Sequence, residues 1–195
     1  MATQTERRAE TRTAIVKAAR RLFGDRGFQA TSMDDIAAAS RVAKGAIYHY
    51  FKTKDDLFEA VFEQVSHDLV IEIDQAVRTE KDVLAAMTAG TQLYFSKCAK
   101  GIYGRIILRD GPAVLGWERW RRIDAEHFGG KIPKALTLAM NAGLIAKQPV
   151  DPLARLILGA ITEAAVACAG TKDIEASGTE YARAFRTLID ALRLK

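Results

Sequence analysis

Apolar residues recur along this chain at spacings of three and four, and no segment alternates with period two for long. That pattern predicts an all-α protein. In the first helix, about residues 9–25, Ile15, Ala18, Ala19, Leu22 and Phe23 share a face, and Arg12, Lys17, Arg20 and Arg21 take the other positions. Gly27 is placed to end it in a left-handed cap. Thr31 or Ser32 then caps a short helix, with Asp34 and Asp35 near its positive dipole end. Met33, Ile36 and Ala37 form its apolar face, and the small Ala37 lets the next helix cross closely. Ser40-Arg41-Val42 reads as a turn. A second short helix runs from Ala43 to Tyr50, with Val42 and Ile47 as inward anchors. Thr53 caps a fourth helix, along which Leu57, Val61, Val65 and Leu69 repeat every four residues.

After about residue 78 the periodicity weakens. Helices are expected at about 80–99, 101–109, 116–128, 131–143, 151–169 and 174–193. Gly101, Asp110-Gly111-Pro112, Gly129-Gly130, Pro149 with Pro152, and Gly170 punctuate them. No repeat and no flexible linker stands out. The domain boundary falls inside or just after the fourth helix, which joins an N-terminal unit (residues 9–69) rigidly to a C-terminal one (residues 70–195).

Charge sharpens this picture. Residues 1–58 carry 11 Lys/Arg against 7 Asp/Glu, so +4 of the net +5 sits in the first third of the 195 residues. Such a footprint suits a phosphate-binding module, although an ordinary mixed surface would also produce it. Hydrophobic content of 49% supports a true core. Cys98 and Cys168 form no CxxC pair, which points to reduced thiols in a cytoplasmic protein. The charged N-terminus is unlike a signal peptide, and no apolar run reaches the roughly 20 residues of a membrane helix, so no membrane partner is expected.

The two short helices and their turn, about residues 32–51, read as a helix-turn-helix. Ile47 and Phe51 would face inward, leaving Lys44, Gly45, Ala46, Tyr48, His49 and Tyr50 outward or at the flanks. Lys44 could reach a phosphate or a guanine edge, and Ala46 a thymine methyl. Gly45 permits close backbone approach, and Tyr48, His49 and Tyr50 offer donors to phosphates. Thr31, Arg41 and Lys54 complete the expected DNA-contact set, Lys54 lying at a positive helix end. On spacing alone, Tyr48, Tyr50 and Phe51 would equally make an aromatic core cluster.

A longer series of residues carries a resemblance. Thr11-Arg12, Ile15, Ala18-Ala19, Leu22-Phe23, Gly27-Phe28, Thr31-Ser32-Met33, Ile36-Ala37, Val42, Lys44-Gly45, Ile47-Tyr48, Tyr50-Phe51, Lys54 and Leu57-Phe58 stand in order and without gaps. Over about 60 residues this resembles the DNA-binding domain of the tetracycline-repressor (TetR) family. The resemblance implies an all-helical homodimer, with one recognition helix per subunit in successive major grooves of a pseudo-palindromic operator. It also implies a larger C-terminal domain that dimerises and often binds a small-molecule effector. One position departs: the turn residue before Val42, commonly Gly in the family, is Arg41. A left-handed backbone there would cost on the order of 1 kcal/mol, which a phosphate contact could offset.

Set beside that resemblance, the last two helices read as a dimer interface built from Leu153, Leu156, Ile157, Ala160, Ala164, Ala167, Phe185, Leu188 and Leu192. Packing within one subunit would give the same spacing. An effector pocket for a small hydrophobic or amphipathic molecule is placed among Tyr94, Phe95, Ile102, Ile106, Trp117, Trp120, Phe128 and Met140, with His127 or Glu163 as polar anchors. Each residue taken singly could be plain core. Residues 108–117 resemble a segment seen in some regulators of this family, with no chemistry attached. Arg119, Arg121 and Arg122 with Glu118, Asp124 and Glu126 read as a solvated helix face.

No enzyme signature is found: no Walker-type phosphate loop, no GxGxxG after a strand, no HExxH, no GxSxG, and no metal-ligand spacing among His49, His67 and His127. Neither a cofactor nor a metal is expected. The reading is a DNA-binding transcriptional regulator, most simply a repressor released by an effector. A dimeric regulator without a ligand is the alternative, and an enzyme on a helical scaffold is remote.

Overall fold

The computed structural model describes residues 3–99 and 101–194, and they form an all-α protein. Three of its helices begin in reciprocal capping boxes. Thr3 with Glu6 opens α1 (Gln4–Arg26), Ser32 with Asp35 opens α2 (Met33–Ser40), and Thr53 with Asp56 opens α4 (Lys54–Ala76). Ser32, not Thr31, is therefore the cap of α2. Gly27, at φ 85°, closes α1 with its N–H on the Phe23 carbonyl. Between α2 and α4 lies the short α3 (Lys44–Tyr50). Phe23, Phe28 and Phe58 pack edge-on or tilted at centroid distances of 5.2–5.6 Å and form the heart of this unit.

The remaining chain adds α5 (Val83–Cys98), α6 (Gly101–Tyr103), a π-helical stretch (Gly104–Asp110), α7 (Gly111–Leu115), α8 (Trp117–Asp124), a second π-helical stretch (Ala125–Gly129), α9 (Lys131–Asn141), α10 (Val150–Ala169) and α11 (Ile174–Ala191). Asp110-Gly111-Pro112, expected to break the chain, instead lies within a nearly continuous helical run. Pro112 falls in the first turn of α7, where its missing N–H is no loss. Gly111 is there for space: a Cβ would come within 2.8 Å of the Phe62 ring and 2.9 Å of the Ile106 carbonyl.

One core runs unbroken from α1 through α4 into α5, the first π stretch and α10. A second gathers Leu84, Met87, Leu136, Ala139, Ile157, Phe185 and Ile189 at the far end. The chain closes there by an isolated bridge between Ile145 and Arg193, with Leu194 donating to the Leu144 carbonyl at 2.9 Å.

Helix α4 is bound to nearly everything around it. Its buried stripe of Leu57, Phe58, Val61, Phe62, Val65 and Leu69 faces both halves. Its outer carboxylates form ion pairs: Glu59 with Arg119, Asp68 with Arg20, Glu72 with Lys97 at 2.5 Å, and Asp74 with Lys131 at 2.6 Å. Arg119 is thus tied to α4 rather than merely solvated.

The last two helices divide the expected interface set. Leu156 (73% exposed), Leu188 (59% exposed) and Ala160 point outward. Ile157, Ala164 and Phe185 are buried in the subunit's own cores, and Leu153 and Leu192 pack partly against the second core. Those five are held within the subunit because α10 packs on α9 and α11, while α11 packs extensively on α5. Ala167 is half-buried.

Candidate nucleic-acid interface and internal cavity

Helix α3 is seated by two buried side chains, Ile47 and Phe51, on the core of the N-terminal unit. Their i, i+4 spacing fixes which face is left over. Lys44, Gly45, Tyr48 and His49 are exposed on it, and Ala46 is half-buried. A Cβ on Gly45 would meet nothing within 4 Å, so that glycine leaves room on the outside of the molecule. Lys44 is held by Asp34 at 2.8 Å, and this hydrogen bond raises its pKa above the usual lysine value. Tyr50 lies half-buried at the edge, with the Arg8 guanidinium 6.0 Å from its ring centre.

Arg41 adopts the left-handed conformation (φ 58°, ψ 33°) as the C-cap of α2, the conformation that family glycine would suit. Its side chain is exposed beside α3. Two cations not singled out from sequence join this edge. Arg12 lies 5.2 Å from the centre of the Phe51 ring and Arg8 lies over Tyr50, so the first turns of α1 flank the C-terminal end of α3. Their i, i+4 spacing, off the apolar face of α1, was the available signal.

Two expected contact residues are turned inward. Thr31 is 1% exposed, and its hydroxyl donates to the Gly27 carbonyl at 2.8 Å, fastening the loop between α1 and α2. Lys54 is half-buried, donating to the carbonyls of Phe28 (2.9 Å) and Thr31 (3.1 Å) while lying 4.0 Å from the centre of the Phe28 ring. Two of its three donors serve this loop, so its first role is structural.

The C-terminal half, with the end of α4, forms a half-open cavity of about 400 Å³. Its walls are Ile73, Asp74 and Val77 of α4; Val83, Ala86, Met87, Gly90, Thr91 and Tyr94 of α5; Asp124 and Phe128; Lys131, Ile132, Lys134, Ala135 and Leu138 of α9; and Leu158, Ile161 and Thr162 of α10. Of the expected lining residues, Tyr94 and Phe128 are there, paired edge-to-face at 5.5 Å. The others lie elsewhere. Phe95 packs against Gly178, Ile102 against Gly24, and Ile106 is in the main core. Trp120 is buried with its indole N–H on the Ile107 carbonyl at 3.0 Å, and the exposed Trp117 stacks on it. Met140 belongs to the second core, His127 neighbours His67, and Glu163 is exposed. Aromatic content alone does not distinguish a core residue from a lining one.

Asp124, expected on a solvated helix face, lines this cavity instead. It follows Trp120 by four positions and Ile123 by one, which turns it toward the cavity, where it is half-buried rather than part of a fully solvated face. Burial pushes its carboxyl up to about 7. Burial likewise pushes up the neighbouring Tyr94 phenol and the Cys98 thiol.

Residues 15–61 match the family model for bacterial regulatory proteins of the tetR family, and residues 84–192 match the tetracyclin repressor-like C-terminal domain. The Tn10 TetC protein of Escherichia coli is 25% identical over 195 residues, covering 98% of this chain and 97% of that protein. A TetR-family transcriptional regulator from Pectobacterium atrosepticum is 30% identical, with a TM-score of 0.87 over 100% of this chain and 99% of the other. RolR, solved in complex with resorcinol, shares the fold at 16% identity, with a TM-score of 0.74 over 98% and 99% of the two chains. The chain belongs to the tetracycline-repressor (TetR) family of bacterial transcriptional regulators.

Proposed function

We propose that this chain is a cytoplasmic homodimeric repressor that binds a pseudo-palindromic operator and is released from it by a small-molecule effector. The exposed polar face of α3, seated by Ile47 and Phe51, carries the DNA reading. Lys44, Tyr48, His49 and Arg41, with Gly45 and Ala46 giving close approach, are the contact set, flanked by Tyr50, Arg8 and Arg12. The spare donor of Lys54 can add a phosphate contact. Residues 9–69 form the DNA-binding unit and residues 70–195 the regulatory one.

Dimerisation is supported by the outward faces of α10 and α11. Leu156, Ala160 and Val166 on one helix, and Tyr181 and Leu188 on the other, leave apolar surface exposed in the single subunit. Two such pairs would make a four-helix interface and space the two α3 helices for successive major grooves.

The mechanism is a population shift. The cavity wall includes Ile73, Asp74 and Val77 near the end of α4, and the start of the same helix shares one core with Ile47 and Phe51, which seat α3. A ligand that fills the cavity better in one inclination of α4 shifts the spacing of the two α3 helices by its differential affinity for that state. RolR, which shares the fold, binds resorcinol. The cavity favours this reading over a regulator without a ligand.

The test is footprinting on the DNA flanking the protein's own coding region, followed through a salt series. A protected inverted repeat, with affinity falling steeply as salt rises, is the expected result. If Lys44→Ala and Tyr48→Ala bind DNA as the wild type does, the interface is wrong.

A further inference from the structure

We infer that the cavity selects a hydrophobic amine, with the Asp124 carboxylate as its counter-ion; the inference rests on the effector-site reading above. Three observations carry it. The cavity walls are overwhelmingly apolar, so an ionised group inside them lacks the solvation that water would give it. Asp124 lines that cavity and has no hydrogen-bond or ion-pair partner among the described residues. The only other carboxylate in the lining, Asp74, is neutralised at the rim by Lys131, whose ammonium reaches both its oxygens at 2.8 and 2.6 Å. Asp124 is therefore the carboxylate of the lining left without a partner, and a cation answers it.

The surroundings fit an ammonium group. Tyr94 and Phe128, set edge-to-face, present ring surface beside the carboxylate, and a cation is attracted to such faces. An anionic ligand would place its charge against Asp124 in apolar surroundings. The cation that could oppose this, Lys134, is an exposed side chain at the rim, where water screens it. The volume of about 400 Å³ admits a bicyclic aromatic body with its side chain.

Binding of an amine has a signature that simple filling lacks. At about pH 6 the free carboxyl mostly holds its proton, since burial has raised it to about 7. An ammonium ligand requires the carboxylate, so binding expels that proton to solvent. The titratable groups facing Asp124 are Tyr94 and Cys98 from α5, with Cys168 of α10 beside those two, all raised by burial and all neutral at that pH. His127 in the next turn and, in the cavity lining, the Asp74–Lys131 pair and Lys134 are the other charged or titratable groups there.

The experiment uses three molecules with one body and three head groups: 1-naphthylmethylamine, 1-naphthylmethanol and 1-naphthoate. Each is titrated calorimetrically into the full-length protein at about pH 6, in two buffers of different ionisation enthalpy. The expected result is that the amine binds at least about tenfold more tightly than the alcohol, naphthoate binds most weakly, and close to one proton is released with the amine only. Asp124→Asn should bring amine and alcohol to similar affinity and abolish the proton release. If all three bind the wild type equally, or Asp124→Asn keeps the preference for the amine, the amine assignment falls while the effector site stands. If none binds, both fall.

Discussion

The Asp110 carboxylate accepts a hydrogen bond from the backbone N–H of Phe28 at 2.8 Å, joining positions 82 residues apart in sequence. Phe28 belongs to the loop that precedes the helix-turn-helix, and Asp110 ends the π-helical stretch beside α7. The same carboxylate lies 3.5 Å from where a Cβ on the left-handed Gly27 would stand. An element of the C-terminal half thus holds the loop before the helix-turn-helix directly, in addition to the contacts made by α4.

Asp110→Ala removes that acceptor and leaves a part-buried N–H without a partner. A loss of about 1.5–3 kcal/mol is expected by chemical denaturation, since the bond is to a charged group. Asp110→Asn retains an acceptor oxygen and should lose less than half as much. Equal stability of Asp110→Ala and wild type would show that the contact contributes nothing.

Arg41 and Lys44 separate stability from DNA affinity. Arg41→Gly relieves a left-handed non-glycine residue and should stabilise the free protein by about 1 kcal/mol. The same change should weaken binding uniformly across DNA sequences, because a phosphate contact carries no sequence information. Lys44→Ala should leave the melting temperature nearly unchanged and flatten the salt dependence by about one counterion. An Arg41→Gly protein less stable than wild type would contradict the strain argument.

Asp124 gives the folded protein an inverted acid response. Its carboxyl titrates at about 7 when folded, against an ordinary value of 3.8. Below 3.8 both states hold the proton. Between the two values only the folded state keeps it, and above 7 the folded state must carry a charge against the apolar cavity wall. This group's contribution therefore falls as pH rises from about 4 to about 7. Asp124→Asn should be more stable than wild type at pH 8, with the gap closing toward pH 4. A gap independent of pH would contradict the assignment.

Gly111 tests the close packing at the α4 crossing. In Gly111→Ala the new methyl would press on the Phe62 ring at 2.8 Å and on Trp120 at 3.0 Å. Overpacking of that kind costs about 1–3 kcal/mol, which denaturant unfolding would register.

Leu156 and Leu188 test the proposed dimer. Leu156→Glu with Leu188→Glu should leave the subunit folded, as both side chains are largely exposed in it. Sedimentation should then show monomers, and operator affinity should drop because two half-sites are no longer bound together. A dimer that survives both changes would place the interface on another face.

The N-terminal helices were legible because their signals are local. The caps at Thr31 or Ser32 and at Thr53, the apolar spacing of Met33 and Ile36, and the inward pair Ile47 and Phe51 each act within one or two turns, although only the structure chose Ser32. The helical character of the C-terminal half was legible for the same reason. Which side chains line a space and which fill a core was not. Trp120 and Ile106 are as apolar as Phe128, and only the crossing of α4, α5, α9 and α10 decides that Phe128 faces a cavity. The inward turns of Lys54 and Thr31 depend on a loop 20 or more residues from Lys54 in sequence and on the end of α1. Asp124 carried a weak local sign, its spacing from Trp120, but its charge read as solvent-facing until α5 and α10 closed over it. Periodicity specifies which stripe of a helix is apolar; only the assembled packing specifies what that stripe meets.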